Sequence, residues 1–228
     1  MSVRTVVKVG GSLCADPARL RALLAALAEG AFGPCLVVPG GGAHADAVRA
    51  AQRRDGFDDD EAHRRALDAM SRMAGDFHAI EPRLFPSPLC GGGWPLREQG
   101  SGEGSAASEE VAPLSPPAAQ GTLPRRGGRE SVVSAIWDPV ALRAGHPDIP
   151  ESWDVTSDSL ALWAATQVRA ARCILVKSRD APAGADARAL ARIGLVDAAF
   201  PAFAARYGGA IAILGPAGER AVHLRAAA

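Results

Sequence analysis

A strand, a glycine turn and a helix follow one another at the start of this chain, and that order constrains the fold more than any other feature. The apolar run 6–9 carries Lys8 near its end, and Gly10, Gly11 and Ser12 follow directly. Because glycine lacks a Cβ, the backbone N–H groups of such a turn can approach an anion closely, and the Ser12 hydroxyl adds a donor. The segment therefore predicts a phosphate site at the end of a buried strand.

The helix after this turn has clear boundaries in the sequence. Asp16 is suited to cap it, Pro17 fits the first helical position, and Gly30 is expected to end it. Leucines recur on one face between these limits. That spacing predicts a helix packed on a sheet.

The same order recurs about thirty residues later. The apolar run 35–38 predicts a second buried strand, Gly40, Gly41 and Gly42 predict a tight turn, and residues 43–54 predict a helix whose N-terminal amides face that turn. A turn shaped only by packing is the alternative for either segment alone. Two such turns at equivalent strand ends favour a pair of anion sites, with a donor phosphate and an acceptor group meeting between them.

Composition narrows the class of protein. The 228 residues are 48% hydrophobic, enough for the substantial core of one α/β domain, and the formal net charge is zero. A balanced charge gives no general attraction to nucleic acid or to membrane lipids, so small molecules and further copies of the chain are the expected partners. The four cysteines are far apart, which predicts reduced thiols. Without a signal-peptide pattern or an apolar run of membrane-spanning length, a cytoplasmic location is expected.

One long segment differs from the rest. Residues 86–128 are rich in glycine, proline and serine and carry few large apolar side chains, so the segment is expected to be a disordered insert. The chain is accordingly predicted to be a single domain, 1–228, interrupted by this insert. Removal of residues 88–127 is expected to leave folding intact.

The remaining pattern alternates strands with helices. An acidic start at 58–61 leads a helix to Ile80, and its carboxylates are expected to serve the helix dipole rather than a metal. His63 is assigned to the surface or to packing. The other predicted elements are a strand at 132–136 with a turn at 137–139, a helix capped by Thr156 or Ser157 that runs to about 170, a strand at 172–176, helices at 187–193 and 198–207, and a strand at 210–214. This alternation predicts a mostly parallel sheet covered on both faces.

Charged residues follow the later predicted elements as well. Asp154 and Asp158 flank the start of a helix, and Lys177 ends a strand. Ligands gather at the carboxyl ends of strands in open parallel sheets, so these side chains are expected beside Lys8 and the glycine turns. Phosphoryl transfer needs positive charge near the moving group, and a carboxylate at Asp158 would keep two lysines positioned and charged. The alternatives are a carboxylate that only serves the helix dipole and a solvated lysine.

Together, Lys8-x-Gly10-Gly11-Ser12, the Gly40–Gly42 turn and Asp154-x-x-x-Asp158 resemble the amino acid kinase superfamily, which includes acetylglutamate, carbamate, aspartate and uridylate kinases. The resemblance implies a three-layer αβα sandwich, ATP with Mg²⁺ as phosphate donor, and a homo-oligomer. It implies that Lys8 stabilises the transferred group, that Asp158 organises the site and that Asp154 touches the acceptor. The full predicted site comprises Lys8, Asp158 and Lys177 as catalytic residues; Gly10, Gly11, Ser12 and Ser178 at the phosphates; and Gly40, Gly41, Gly42, Asp154 and Thr156 at the acceptor.

Some features depart from that superfamily's pattern. Lys177 and Ser178 stand where its members usually carry a Thr-Asp pair, and no Gly-Gly-Met segment with a second catalytic lysine is found, so Lys177 is the candidate to replace that lysine. The amino-acid sequence of residues 153–159 resembles that of the small branch of the superfamily that serves methanofuran biosynthesis. This resemblance implies phosphorylation of an aminomethylfuran-methyl phosphate to its diphosphate. A uridylate-type kinase and a nucleotide- or oxyanion-binding protein without transfer activity are the alternatives.

Overall fold

The computed structural model describes residues 5–88 and 134–222. By its internal contacts the chain divides into one unit made of Met1–Trp94 and Val132–Ala228, and a second unit, Pro95–Ser131, which lies outside the described residues. The first unit contains seven described strands: β1 (Thr5–Val9), β2 (Cys35–Pro39), β3 (Phe85–Pro88), β4 (Ala135–Asp138), β5 (Arg172–Val176), β6 (Ala210–Gly215) and β7 (Gly218–Ala221).

Six α-helices accompany these strands in the described ranges: α1 (Pro17–Ala28), α2 (Gly42–Asp55), α3 (Asp59–Ile80), α4 (Ser157–Gln167), α5 (Ala187–Arg192) and α6 (Phe200–Arg206). Short 3₁₀ helices cover Gly11–Ala15 and Pro139–Ala144. The predicted cap of α1 is confirmed, since the Asp16 carboxylate accepts the Arg19 N–H at 3.0 Å. Within residues 5–88 and 134–222, no helix is long and apolar enough to cross a membrane.

The strands form one sheet in the order β3-β4-β2-β1-β5-β6-β7. All neighbouring pairs are parallel except β6 with β7. The central strand β1 pairs with β2 and β5, so that Val9 lies opposite both Pro39 and Val176. These three strands therefore end at the same edge of the sheet, and the predicted mostly parallel α/β fold is confirmed.

Alternating side chains along the strands divide the core into two layers. On one face Val7 and Val37 pack with Leu24 of α1 and Phe77 of α3. On the other face the even-numbered residues of β1 and β2 pack in a cluster with α4, α5 and α6. The sheet is thus covered on both faces, as its continuous apolar strands require.

Three details differ from the sequence prediction. The strand β3 lies at positions assigned to the start of the insert; it contains two prolines, which lack a backbone donor and are tolerated because β3 is an edge strand. The strand β4 spans Ala135–Asp138, so residues 137 and 138 extend the sheet instead of forming a turn. The short hairpin strand β7 was not predicted. The rest of the proposed insert and the effect of its removal lie outside the described residues.

Candidate active site

The only two lysines of the chain meet at one carboxylate. The sequence has 25 lysines and arginines, and Lys8 and Lys177 are its only lysines. The Nζ atom of Lys8 lies 2.7 Å from Asp158 Oδ1. The Nζ atom of Lys177 donates to both carboxylate oxygens, at 2.8 and 2.7 Å. Each of the three side chains is at most 11% exposed, so the cluster consists of charges almost fully removed from bulk water.

Strand register explains this convergence. Lys8 of β1 lies on the same face as Val6, and Lys177, directly after β5, lies on the same face as Leu175. Because successive side chains alternate across a strand, both lysines face the layer that contains α4. Asp158 occupies the first turn of α4 and reaches both ammonium groups from that layer.

The three charges influence one another's protonation. Burial disfavours an ionised Asp158, but the positive charges of Lys8 and Lys177 outweigh burial and hold the pKa of this carboxyl below its ordinary value. Burial, aided by the charge of Lys8, lowers the pKa of Lys177 to about 8 although Asp158 opposes the shift. With all three groups ionised, two positive charges face one negative charge. The cluster therefore has an excess positive charge that an anion can neutralise.

The two glycine turns are in direct contact. A Cβ added to Gly11 would overlap the backbone of Gly42, and one added to Gly40 would lie 2.6 Å from the Gly11 nitrogen. Gly42 also has a φ of +49°, which disfavours a side chain. The close approach thus requires glycine at these positions.

The turn amides have different uses. The Gly10 N–H donates to the Val176 carbonyl at 3.2 Å and the Gly40 N–H to the Val9 carbonyl at 2.9 Å, so these two amides tie the turns to neighbouring strands. The helices that begin at Gly11 and Gly42 leave their first N–H groups without intrahelical acceptors. Those amides are the donors suited to an anion.

A cavity of about 510 Å³ opens beside the lysine cluster. This volume suits a small-molecule site. Most of the residues predicted for the site contribute to its lining: Lys8, Gly10, Gly11, Ser12, Gly40, Gly41, Gly42, Thr156 and Lys177. Asp158 lies behind this lining, with its carboxylate on the two lysines.

Two predicted residues lie elsewhere. Asp154 is exposed and does not line the cavity, because it precedes α4 in a turn whose backbone is held by the Ser152 hydroxyl and by the Ala199 N–H. Ser178 is also exposed and outside the lining, one residue beyond Lys177 and past the end of β5. The cavity lining therefore does not support the predicted contact of Asp154 with the acceptor, which stays a prediction.

The wall of the cavity formed by α2, α3 and Trp153 includes residues that the sequence analysis did not assign to the site. The Arg49 guanidinium lies 4.3 Å from the centre of the Trp153 ring and 3.0 Å from the Asp46 carboxylate. The Trp153 N–H donates to Gln52 at 2.7 Å. His63 is buried and lines the cavity as well, and burial lowers its pKa.

The spacing of two residues along α2 could have predicted part of this wall from the sequence. Asp46 and Arg49 lie three residues apart on α2, on the helix that begins at the second glycine turn. Residues at that spacing share a helix face. His63 carries no comparable signal, because it reaches the cavity from α3 through tertiary packing.

Comparisons with known proteins find a shared fold. No protein-family model and no curated protein matches the sequence. Among solved structures, a uridylate kinase from Archaeoglobus fulgidus is 13% identical with a TM-score of 0.54, over 93% of this chain and 90% of that one. A UMP kinase from Ureaplasma parvum is 12% identical with a TM-score of 0.56, over 97% and 93% of the two chains.

An aspartate kinase from Synechocystis is similar at 15% identity and a TM-score of 0.55, over 99% of this chain and 41% of that one. Identities this low are evidence for the fold alone. The chain has an α/β fold of the amino acid kinase type, as the resemblance of its motifs implied.

Proposed function

We propose that the protein is an ATP-dependent small-molecule kinase that transfers a phosphoryl group to a phosphate or carboxylate oxygen of an acceptor. The observation that carries this proposal is the convergence of Lys8 and Lys177 on Asp158, beside two touching glycine turns. Phosphoryl transfer depends mainly on positioning and on positive charge near the moving group. The similar folds of a uridylate kinase and an aspartate kinase support the same class of reaction.

In the proposed reaction an acceptor oxygen attacks the γ-phosphorus of ATP. The bond from that phosphorus to the β,γ-bridging oxygen breaks, and its electron pair leaves with ADP. Lys8 would neutralise charge on the transferred group, and Lys177 would supply the second cation. Asp158 positions both ammonium groups and has no spare role as a proton acceptor, because its two oxygens already accept from the lysines.

The residues present fit a metal that arrives with the nucleotide. In the part of the chain that the structure describes, no three His, Cys, Asp or Glu side chains are grouped closely enough to hold a metal ion. Mg²⁺ is commonly bound through substrate phosphates with few protein ligands. When bound, Mg²⁺ would neutralise phosphate charge, while this chain's lysines and turn amides position the phosphates.

For the acceptor we propose an aminomethylfuran-methyl phosphate, converted to its diphosphate. The resemblance of residues 153–159 to the methanofuran branch supports this choice, and the cavity wall formed by α2, α3 and Trp153 supplies complementary chemistry. Trp153 presents an aromatic ring, the Arg49 guanidinium suits a phosphate, and the Asp46 carboxylate suits an ammonium group.

Phosphorus NMR tests the proposal. The full chain is incubated with ATP, Mg²⁺ and one acceptor at a time: the aminomethylfuran-methyl phosphate, UMP, aspartate or acetylglutamate. We expect ADP together with a new diphosphate resonance from the furan compound. Transfer to UMP instead would replace the proposed acceptor by that of a uridylate-type kinase. Nucleotide binding without transfer to any acceptor would refute the kinase and favour a binding protein.

A further inference from the structure

A single carboxylate outside the lysine cluster holds the start of α4. Asp197, in the segment before α6, accepts the Thr156 N–H at 2.9 Å and the Thr156 hydroxyl at 2.8 Å. It also accepts the Ser159 N–H at 3.0 Å and the Ser159 hydroxyl. These four hydrogen bonds surround Asp158 in sequence, with one bonded residue before it and one after it.

Asp197 takes the place of an ordinary helix cap. An N-cap side chain usually accepts an N–H from the second or third helical residue, but the Thr156 side chain makes no such bond in its own helix. The Asp197 carboxylate accepts the N–H of the third helical residue, Ser159, across 38 positions of sequence. The orientation of the first turn of α4 is therefore set by a tertiary contact.

The segment that carries Asp197 is itself fixed. Leu195 and Val196 are buried immediately before it, and Phe200 is fully buried at the start of α6. The Ala199 N–H donates to the Asp154 carbonyl at 2.9 Å, which attaches the same segment to the turn that precedes α4. Asp197 thus holds the start of α4 in a fixed position relative to the packed core.

Asp197 also contributes charge at the site. The ionisable groups whose charges influence the Lys177 pKa include Lys8 from β1, Asp158 from α4 and Asp197. The Arg19 guanidinium of α1 also donates to the Lys177 backbone carbonyl at 3.2 Å. The negative charge of Asp197 favours the Lys177 ammonium form. Burial, and secondarily the charge of Asp158, raises the pKa of Asp197, while its hydrogen bonds oppose that shift.

We infer that Asp197 is a positioning residue: its carboxylate fixes the first turn of α4 so that Asp158 meets both lysines. The contact between Asp197 and α4 stands independently of any activity, whereas its effect on phosphoryl transfer rests on the function proposed above.

The two-lysine composition permits a direct test by NMR. Protein labelled with ¹³C only at lysine Cε gives two side-chain signals, from Lys8 and Lys177, and their chemical shifts are followed as the pH is raised. In Asp197→Asn we expect both signals to move and the Lys177 ammonium to titrate at lower pH than in the original protein, because a nearby negative charge is lost.

Asp58→Asn is the matched control. Asp58 caps α3 by accepting the Glu61 N–H at 2.8 Å, and an asparagine oxygen can accept the same N–H, so this variant removes one carboxylate charge away from the lysines. We expect it to leave both lysine titrations unchanged. The inference is overturned if folded Asp197→Asn likewise leaves both titrations unchanged.

A milder variant covers the case in which Asp197→Asn does not fold. Ser159→Ala removes one of the four hydrogen bonds and leaves the Asp197 charge in place. We expect both lysine signals to shift, and unshifted signals in a folded Ser159→Ala protein would contradict the positioning role.

Kinetics provide a second readout. With ATP and an acceptor that the unmodified protein phosphorylates, Asp197→Asn is expected to lower kcat about tenfold or more. The KM for ATP should stay within about twofold of that of the unmodified protein, because misplacement of catalytic groups affects the transition state most. If no acceptor is phosphorylated by the unmodified protein, the function proposal fails while the NMR result still decides the role of Asp197.

Discussion

At the scale of single residues, the use of lysine is the most selective feature of this chain. Arginine serves its surface ion pairs, such as Arg64 with Glu151, whereas its two lysines occupy the buried cluster. A lysine ammonium is a compact point charge that can lose its proton when buried, and a guanidinium is planar and always charged. The site therefore places two cations on the single carboxylate of Asp158.

Removal of the shared carboxylate is expected to destabilise the protein. Asp158→Asn leaves two buried ammonium groups without their anion, and we predict that the free energy of unfolding at neutral pH falls by about 3–5 kcal/mol. Urea unfolding measures the change. Asp68→Asn is the control, since its ion pair with Arg143 is solvent-exposed and contributes at most about 1 kcal/mol. Equal effects of the two substitutions would contradict the account.

The pH dependence of activity follows from Lys177. Its pKa of about 8 means that the ammonium form dominates below pH 8 and is lost above it. Because the proposed role requires the positive charge, kcat/KM should be level near neutrality and fall as the pH rises through about 8. Steady-state kinetics across this range provide the measurement. In Lys177→Arg the decline should disappear, and a decline that persists in this variant would assign it to another group.

At the scale of elements, the backbones of the two glycine turns are in direct contact. We predict that Gly11→Ala lowers the melting temperature and weakens nucleotide binding, because the added methyl group would overlap the Gly42 backbone. Differential scanning calorimetry and binding titrations test both effects.

Gly75→Ala is the matched control for that substitution. Gly75 lies inside α3, and apart from its chain neighbours and the backbone of its own helix, a Cβ there would meet no described atom within 4 Å. Alanine should therefore stabilise the helix by about 0.5–1 kcal/mol. A Gly11→Ala protein as stable as Gly75→Ala, with unchanged nucleotide binding, would contradict the proposed turn contact.

The elements that could be predicted from sequence are those with strong local signals. The strands β1, β2 and β5 are continuous apolar runs, and α1 has an acidic cap and a proline at its first position. By contrast, β3 contains two prolines, and such a segment becomes a strand only because β4 pairs with it at the edge of the sheet. The local strand propensity of this segment does not predict its pairing with β4.

The site residues also divide into those that the sequence predicts and those that only tertiary packing brings together. The sequence indicated that Lys8 and Lys177 would lie at one edge of the sheet, because parallel strands end together there. The helix cap by Asp197 could not be predicted, since it joins positions 38 and 41 residues apart through tertiary packing. Asp154 is exposed in the turn before α4, so its contact with the acceptor stays a prediction.

At the scale of the whole molecule, the described sheet and its two helical layers enclose both core clusters within the unit Met1–Trp94 and Val132–Ala228. We predict that replacing Pro95–Ser131 with about six Gly and Ser residues preserves cooperative unfolding. The connection between parallel strands β3 and β4 would still exceed the dozen or so residues that a crossover needs. The boundary at 95 also keeps Pro88, which belongs to β3.

Circular dichroism and urea unfolding test this deletion. Retention of the helical signal and of a single unfolding transition is the expected result. Loss of soluble, cooperatively folded protein would show that the replaced segment is required by the rest of the chain.

We propose that the Lys8 ammonium assists transfer of a phosphoryl group within the cavity beside Asp158. Single-turnover transfer from γ-labelled ATP to an acceptor that the original protein phosphorylates tests this role, compared between the original protein and Lys8→Ala. We predict that transfer slows by about 10²–10³-fold while the variant stays folded, because the lost charge acts mainly in the transition state. An unchanged transfer rate in folded Lys8→Ala would contradict the account.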